Sequence, residues 1–330
     1  MERYIKKDGC YMKVIIYGLG KVFREIVLSN KKFFFDEAKY NILACCDKNS
    51  ESTDNVITFS SEKMVTIIKP EEILNYEYDY IFVTSLKYFD EIKSELKVLG
   101  ISENKIKSIY WPIWQAQLRE VYFNKIVDIG GPTKLFHEIY NMSDIVDIVN
   151  FSNVNTWNPN GIREKFANRG GVIINDATEL EGIKDESYDL VMSSNVLEHI
   201  ANPLKALLEW KRILVSDGVL IIVVPNHKYG FDHNRDVTKF EHLLEDYNNN
   251  LDERDLSHLK EILEKHDLSM DKPAGTFEQF RERSMKNYEN RCLHHHVFDL
   301  EILTLLAQYL EMEIVGIPFE GSNHIICLRK

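Results

Sequence analysis

The chain has 330 residues, a formal net charge of −12 and 44% hydrophobic residues. This length suggests two domains, and the hydrophobic content is enough to build buried cores. The negative charge disfavours nucleic acid and anionic membrane surfaces as partners, and no apolar run approaches the roughly 20 residues that cross a bilayer. The N-terminus carries charges where a secretory signal would be apolar, so the sequence predicts a cytoplasmic protein.

A strand, a glycine turn and a helix open the chain. The alternation of apolar runs and helical patterns predicts a parallel sheet, with strands at 13–18, 41–46 and 78–84 and helices at 21–28 and 88–99. The turn, Gly18-Leu19-Gly20, is a partial dinucleotide fingerprint, because Phe23 fills the third glycine position. Asp47 also follows Gly18 by more than the usual distance of about 20 residues. The glycines therefore fit a tight turn better than they fit an NAD site.

The same pattern begins again after 110–117, where the letters WPIW interrupt it. It predicts strands at 125–129, 144–149, 171–174, 189–192, 218–224, 313–318 and 323–328, with helices at 203–214 and 299–310. The last two strands are joined by the short turn 319–322 and should form a hairpin. The expected organisation is α/β, with two doubly wound Rossmann-like domains at 1–112 and 113–330.

A long charged segment interrupts the second domain at 226–298. A compact domain rarely contains so long a loop without secondary structure. Helical patterns at 239–247, 255–266 and 276–285 predict an inserted helical cap. Such insertions often build substrate sites.

Polar residues follow the first strands of the second domain. The segment Asp128-Ile129-Gly130-Gly131-Pro132 should form a turn that lets a ligand approach the backbone at a helix N-terminus. Asp147, near the end of the next strand, could accept hydrogen bonds from ribose hydroxyls, or it could be an ordinary capping or solvated carboxylate. Asp176, after the third strand, could accept a hydrogen bond from an adenine amino group.

The run from Asp128 to Asn226 resembles class I methyltransferases of the large "type 11" group. The resemblance is carried by the ordered phrases ND-A, S-YDLV-SSNVLEHI-NP and W-RIL-DG-L-I-VP. It implies a seven-stranded sheet with a terminal antiparallel hairpin and S-adenosylmethionine as cofactor. It also implies that the turn at Gly130 faces the methionine part, Asp147 the ribose, Asp176 and Ala177 the adenine, and Ser194 and Asn195 the sulfonium region.

Two features depart from that group. The first motif reads GGPTKLF rather than G-x-G-x-G, and Pro132 removes one backbone donor. Glu198 and His199 match part of a divalent-metal set in related ubiquinone-pathway O-methyltransferases, but Asn195 replaces the other acid. The sequence therefore predicts no metal at this position.

The cap contains the candidate general bases. A histidine can accept a proton near neutral pH while a methyl group is transferred to a hydroxyl or an amine. The candidates in the cap are His227, His233, His294, His295 and His296. Asp232, Arg235 and Arg291 are candidates for orienting a polar or anionic substrate.

Together these features predict an S-adenosylmethionine-dependent methyltransferase that acts on oxygen, with nitrogen second, of a small polar acceptor. A nucleotide-linked or surface-polysaccharide sugar is the leading acceptor, because the first domain resembles Rossmann-like domains appended to sugar methyltransferases. The alternatives are an NAD-dependent sugar-modifying oxidoreductase and a non-catalytic cofactor-binding scaffold. Whether the chain forms a homo-oligomer stays open.

Overall fold

The computed structural model describes residues 12–28, 39–49, 56–59, 64–118, 122–162 and 170–330. The chain divides into two compact units, Met1–Ala116 and Gln117–Lys330. This division lies four residues after the domain boundary expected from the sequence. Within the described ranges, no helix combines the length and the apolar character needed to cross a membrane.

The first unit contains a six-stranded sheet with the order β3-β4-β2-β1-β5-β6. Only the β3–β4 pair is antiparallel. The strands are β1 (Met12–Tyr17), β2 (Tyr40–Cys46), β3 (Val56–Thr58), β4 (Met64–Ile68), β5 (Tyr80–Val83) and β6 (Ile106–Ser108). The helices are α1 (Phe89–Val98) and α2 (Trp111–Leu118), with 3₁₀ turns at Pro70–Asn75 and Glu103–Lys105. The helix expected at 21–28 is instead a six-residue π-helical segment, Phe23–Leu28.

The second unit contains a seven-stranded sheet with the order β12-β13-β11-β10-β7-β8-β9. Its strands are β7 (Phe123–Ile129), β8 (Ser143–Asn150), β9 (Val172–Ile174), β10 (Tyr188–Ser194), β11 (Leu214–Pro225), β12 (Glu313–Glu320) and β13 (Asn323–Arg329). Strands β7 to β11 are parallel, and β12 and β13 form the expected antiparallel hairpin at one edge. The predicted α/β fold with a class I sheet is confirmed.

Helix α3 (Pro203–Ile213) connects β10 to β11, and α8 (Leu300–Tyr309) precedes the hairpin. The Asn202 side chain accepts a hydrogen bond from the backbone N–H of Lys205, and Pro203 occupies the first turn of α3, where its missing N–H costs nothing. Trp210 of α3 and Leu306 of α8 are both fully buried in the core that covers the sheet. These helices fix the strand ends on which the site is built.

The segment between β11 and α8 contains four helices. They are α4 (Phe240–Asn248), α5 (Leu259–Lys265), α6 (Phe277–Met285) and α7 (Asn287–Asn290). Part of this cap has a small core of its own, formed by Ile262, Ala274, Phe280 and Leu293. A strip without helix or strand, 291–299, then leads back to α8.

The glycine turn after β7 is not followed by an α-helix in the described chain. Two short 3₁₀ turns, Lys134–Phe136 and Ile139–Met142, lie between β7 and β8. The expected helix N-terminus at Gly130 is therefore wrong. Pro132 has no N–H, and the N–H of Thr133 donates to the Tyr140 hydroxyl at 2.9 Å, so local side-chain bonding replaces a regular first turn.

Candidate active site

A cavity of about 750 Å³ opens at the carboxyl ends of the parallel strands in the second unit. The last residues of four strands reach its wall: Ile129 of β7, Asn150 of β8, Ser194 of β10 and Pro225 of β11. The cap supplies the facing wall with Phe231, Asp232, Glu253, Asp271, Pro273, Arg283, Arg291, Cys292 and His294. Its volume and position are those of a small-molecule site in an open α/β sheet.

The turn after β7 lines one end of this cavity through Gly130 and Pro132. Gly130 has a φ of +83°, and an added Cβ would lie 2.2 Å from a methyl carbon of Val196. The Gly131–Pro132 peptide bond is cis. Gly130 therefore has to be glycine because of both its backbone conformation and the packing of Val196.

Asp128 and Gly131 lie beneath the turn rather than on the cavity wall. Asp128 is fully buried and accepts a hydrogen bond from the Tyr140 hydroxyl at 2.5 Å, and burial raises its pKa to about 7. An added Cβ on Gly131 would lie 1.9 Å from the Asp128 carboxylate. Both residues shape the turn from behind, and neither is placed to contact a ligand in the cavity.

The structure corrects the ribose-facing role expected of Asp147. β8 continues to Asn150, so Asp147 lies inside the strand and away from the cavity wall. Its carboxylate accepts from the N–H of Gly171 and the Tyr188 hydroxyl and pairs with Lys125 at 2.9 Å. These contacts hold its pKa below the ordinary value despite burial. Asp147 stabilises the β8 side of the sheet.

Asn150 is the last residue of β8, one residue beyond the strand end expected from the sequence. Its side-chain amide donates to the carbonyls of Gly130 and Gly131 at 3.2 Å each, and its Oδ1 accepts from Asn155. Asn150 thereby fixes the glycine turn from the neighbouring strand. The last residue of β8 decides which side chain holds the glycine turn. The apolar pattern of the sequence does not fix that last residue.

Asp176 and Ala177 line the cavity next to β9. One carboxylate oxygen of Asp176 accepts from the N–H and the hydroxyl of Thr178 at 2.9 and 2.7 Å. The other lies 3.3 Å from the Arg291 guanidinium, which also pairs with Glu253 of the cap. Arg291, expected to bind substrate, instead joins the cap to the proposed adenine end through two carboxylates.

Ser194, Asn195 and Glu198 follow β10 and line the middle of the cavity. Asn195 adopts a φ of +53°, a left-handed conformation that asparagine tolerates better than most residues. Glu198 is buried, and neither of its carboxylate oxygens has a hydrogen-bond partner within the described ranges. Burial raises its pKa to about 7. Glu198 is available to hydrogen-bond a ligand.

His294 faces the cavity from the cap and is paired with an acid. Its Nδ1 lies 2.5 Å from a carboxylate oxygen of Asp232, and the other oxygen of Asp232 lies 3.2 Å from Arg235. A carboxylate can only accept, so Nδ1 carries the proton and Nε2 is the nitrogen that can accept one. Burial opposes a charged ring, but Asp232 raises the pKa of His294 above its ordinary value.

His199 forms the floor beside His294. The two rings meet edge to face, with centroids 4.5 Å apart. Nδ1 of His199 lies 3.1 Å from the carbonyl of Leu293, and burial holds the pKa of His199 well below its ordinary value. His199 is therefore neutral, with Nδ1 donating to Leu293.

Of the remaining candidate bases, His227 lines this cavity, whereas His233, His295 and His296 do not. The Nδ1 of His233 faces the carbonyl of Gly230 on the outer side of the cap. His295 is buried with its Nε2 2.9 Å from the Asn287 side-chain amide, and His296 is buried against Ala201 and Asp246. Arg235 donates to the carbonyls of His294 and His295, so it holds the histidine run in place and does not reach a substrate.

The charged side chains of the cavity wall are largely paired. Arg283 pairs with Asp271 at 3.4 Å, and Arg291 pairs with Asp176 and Glu253. Glu198, His199 and His294 also place metal-ligand atoms within 4.8 Å of one another. The sequence predicted no metal here, and that prediction stays a prediction.

Sequence reasoning missed several wall residues. Asn150 was missed because the end of β8 was set at Val149. Glu198 and His199 were weighed only as metal ligands, although their position just after the end of β10 already pointed to the ligand edge of the sheet. Phe231, Glu253, Asp271 and Arg283 come from the cap, where no periodic pattern indicates which side faces inward.

The glycine turn of the first unit has a different arrangement. Gly18 has a φ of +95°, and the N–H of Leu19 donates to the Asp47 carboxylate at 2.8 Å. The other oxygen of Asp47 accepts from the N–H of Asn49 at 2.9 Å. The acid that would bind a ribose in an NAD site is therefore already bonded to the turn itself.

Two families match the chain. Residues 134–222 match the family described as "Methyltransferase domain", and residues 10–107 match the family described as "C2185-like, N-terminal". The first match covers β8 to β10 and most of β11, and it begins after β7 and the turn at Gly130. The second covers most of the first unit and names no activity.

Three known proteins illustrate the similarity. An uncharacterized protein of Methanocaldococcus jannaschii is 58% identical over 43 residues, which are 13% of this chain and 19% of that protein. A structure of Haemonchus contortus phosphoethanolamine N-methyltransferase 1 with phosphoethanolamine and S-adenosylhomocysteine is 21% identical over 32% of this chain and 23% of that one, with a TM-score of 0.27. The chain thus spans less than a quarter of either protein.

The third is a structure of an S-adenosylmethionine-dependent methyltransferase from Archaeoglobus fulgidus. It is 14% identical over 73% of this chain and 94% of that one, with a TM-score of 0.38. The strand order shows the fold of the second unit, and the similarity to the methyltransferase family extends over residues 134–222.

Proposed function

Because the second unit contains a class I S-adenosylmethionine-dependent methyltransferase domain, we propose that the chain transfers a methyl group to a hydroxyl of a small polar acceptor. The observation that carries the proposal is the Asp232–His294 pair on the cavity wall. This pair provides a positioned general base near the residues that would hold the reacting methyl group.

The residues that line the cavity suit the cofactor. Gly130, Asp176, Ala177, Ser194 and Asn195 all line one continuous space, with backbone groups and a carboxylate for the polar parts of S-adenosylmethionine. Asp128, Gly131 and Asp147 support that wall from behind. When bound, the cofactor supplies a methyl group on a positively charged sulfur.

The proton of the acceptor goes to His294 in this proposal. Nε2 of His294 accepts the hydroxyl proton while the acceptor oxygen forms its bond to the methyl carbon and the carbon–sulfur bond breaks. S-adenosylhomocysteine leaves as a neutral thioether, and the Asp232 carboxylate stabilises the imidazolium that remains. Arg235 donates to the Asp232 carboxylate and to the backbone carbonyls of His294 and His295, and so holds them in place.

The charges of the wall favour an uncharged acceptor group. Both arginines of the wall are paired with carboxylates, so a phosphate would have to displace one of those partners. Glu198 offers two unbonded oxygens to hydroxyl donors. A sugar ring meets these requirements, and a nucleotide carried on it would lie outside the part of the cavity next to His294. An amine acceptor is the second choice.

A methyl-transfer screen with the full chain tests this proposal. S-adenosylhomocysteine release would be measured with monosaccharides, nucleotide-linked sugars and small amines, for the native chain and the His294→Gln variant. Sugar-dependent release that falls in His294→Gln would support the proposal. Cofactor binding without methyl transfer to any acceptor class would contradict it, and transfer only to amines would move the reaction to nitrogen.

A matched control separates the base from other cap histidines. His233→Gln changes a histidine of the same cap that lies outside the cavity, so we expect its turnover to stay within about twofold of native. Cytoplasmic location remains a prediction of the sequence, and whether the chain forms a homo-oligomer stays open.

A further inference from the structure

A second cluster of ligand-type side chains lies in the cap, separate from the cavity wall. It consists of His242, Asp246, His258 and His296, whose ligand atoms all lie within 4.8 Å of one another. His242 and Asp246 are one turn apart on α4, His258 immediately precedes α5, and His296 lies in the strip 291–299. Three separate segments of the chain therefore converge on one point.

Three of the distances within the cluster are close to the edge length of a tetrahedral metal site. Nε2 of His242 lies 3.0 Å from Nε2 of His258 and 3.4 Å from Oδ2 of Asp246. Nε2 of His296 lies 3.5 Å from the same oxygen. Tetrahedral zinc with bonds of about 2.0–2.1 Å separates its ligand atoms by roughly 3.3 Å.

Unpaired buried atoms also point to a ligand at this position. Asp246 is 3% exposed, and its Oδ2 has no hydrogen-bond partner anywhere in the described chain, although three imidazole rings surround it. Its backbone carbonyl is held at 3.2 Å by the side-chain amide of Asn202, which fixes α4 against the start of α3. A buried carboxylate oxygen without a hydrogen bond is costly, and a cation at the centre of the cluster would remove that cost.

The metal-free alternative is a hydrogen-bonded histidine cluster. In that arrangement Nε2 of His296 donates to the carbonyl of Ala201 at 3.3 Å, and His242 and His258 share one proton between their Nε2 atoms. This leaves Oδ2 of Asp246 buried without a hydrogen bond, and a bound cation accounts for that oxygen. Nδ1 of His296 has no hydrogen-bond partner among the described residues in either arrangement.

We propose that His242, Asp246, His258 and His296 bind one zinc ion, with four protein ligands in a closed structural site. Three imidazoles and one carboxylate form a ligand set that suits zinc, and a full set of protein ligands is typical of structural rather than catalytic sites. The ion would join α4, the start of α5 and the strip that carries His294. This inference does not depend on the proposed methyl transfer.

Metal analysis of the full-length chain tests the proposal. The chain would be prepared without a histidine tag, passed over a chelating resin and analysed for zinc by mass spectrometry. We expect about one zinc per native chain and a loss of most of it in Asp246→Asn and in His258→Gln. His266→Gln, which changes a buried cap histidine outside the cluster, should retain the ion and controls for general loosening of the cap.

Glu198, His199 and His294 form the other group of ligand-type side chains, on the cavity wall. The His294→Gln variant tests whether zinc binds there instead. Zinc that is lost in His294→Gln but kept in His258→Gln would overturn the proposal in favour of the cavity. A native chain that contains no zinc and takes up none from added zinc chloride would also overturn it and leave the hydrogen-bonded cluster.

Cobalt substitution gives a readout that needs no variant. Native chain reconstituted with cobalt(II) should show the intense visible absorption of a tetrahedral site, and the metal-bound chain should unfold at a higher temperature than the stripped chain. A weak octahedral spectrum with no change in the unfolding temperature would contradict a closed four-ligand site.

Discussion

The two glycine turns of the chain begin alike and are completed differently. In the first unit the Asp47 carboxylate accepts from the N–H of Leu19, so the acid of the neighbouring strand closes the turn on itself. In the second unit the amide of Asn150 donates to the carbonyls of Gly130 and Gly131, and the turn lines a cavity of about 750 Å³. The pairing of the neighbouring polar side chain, more than the glycines, distinguishes a structural turn from a ligand-facing one.

The largest effect should come from His294, the proposed base on the wall of the cavity that the Gly130 turn also lines. We expect His294→Gln to lower kcat by about 10²–10⁴-fold, because glutamine cannot accept the proton at neutral pH. Calorimetric binding of S-adenosylhomocysteine should be unchanged, since His294 lies on the acceptor side. A loss of cofactor affinity as large as the loss of kcat would contradict this assignment.

A smaller effect should separate the two turns directly. Gly130→Ala forces a Cβ to within 2.2 Å of Val196 at a positive φ, so we expect about a tenfold rise in the Kd for S-adenosylhomocysteine, or about 1.4 kcal/mol. Gly18→Ala is also strained, with its Cβ 2.8 Å from Thr84, but should only reduce the stability of the first unit.

Gly20→Ala is the matched control for both substitutions, because a Cβ there meets nothing within 4 Å. Its cofactor affinity and unfolding temperature should match those of the native chain. If Gly18→Ala weakened S-adenosylhomocysteine binding as much as Gly130→Ala, the distinction between a structural and a ligand-facing turn would fail.

Substitution of Asn150, which bonds the Gly130 turn, should have a still smaller effect. Asn150→Ala removes two hydrogen bonds that hold the turn, and we expect the Kd for S-adenosylhomocysteine to rise by about fivefold, in line with roughly 1 kcal/mol. Asp147→Asn should lower the unfolding temperature and leave that Kd unchanged. The reverse result would restore Asp147 as the ribose-facing acid.

The pH dependence should show the smallest effect. Only unprotonated His294 can accept a proton, and Asp232 raises its pKa, so kcat/KM should rise with pH through a midpoint above the ordinary histidine value of about 6.5. Asp232→Asn removes the charge that raises this pKa, and the midpoint should move to lower pH. A midpoint that stays in place would assign the titration to another group.

The sequence predicted the sheets well and the site only in part. Alternating apolar runs and helical patterns located the parallel strands, the hairpin and the cap helices, because these depend on local periodicity. The replacement of a helix after Gly130 by 3₁₀ turns depends on Tyr140 reaching back to Thr133, which no local pattern records. Asp147 lies away from the cavity wall with its carboxylate bonded to Gly171, Tyr188 and Lys125, and no local pattern records these contacts either.

The histidine run shows why the cap was harder to predict. The structure sends these three consecutive histidines to different places, His294 to the cavity, His295 to Asn287 and His296 to the cluster on α4. Their surroundings are set by segments up to tens of residues away in sequence. Single-residue chemistry identified histidine as the base, and tertiary packing decided which one.

Three side chains of the strip 291–299 have separate proposed roles. Arg291 touches the proposed adenine end, His294 the acceptor and His296 the proposed zinc ion. The three side chains lie within six residues of one another on this strip. One inserted or deleted residue there would therefore change their spacing and displace them from their partners. Evolution can therefore vary the composition of the surrounding helices more freely than the length of this strip.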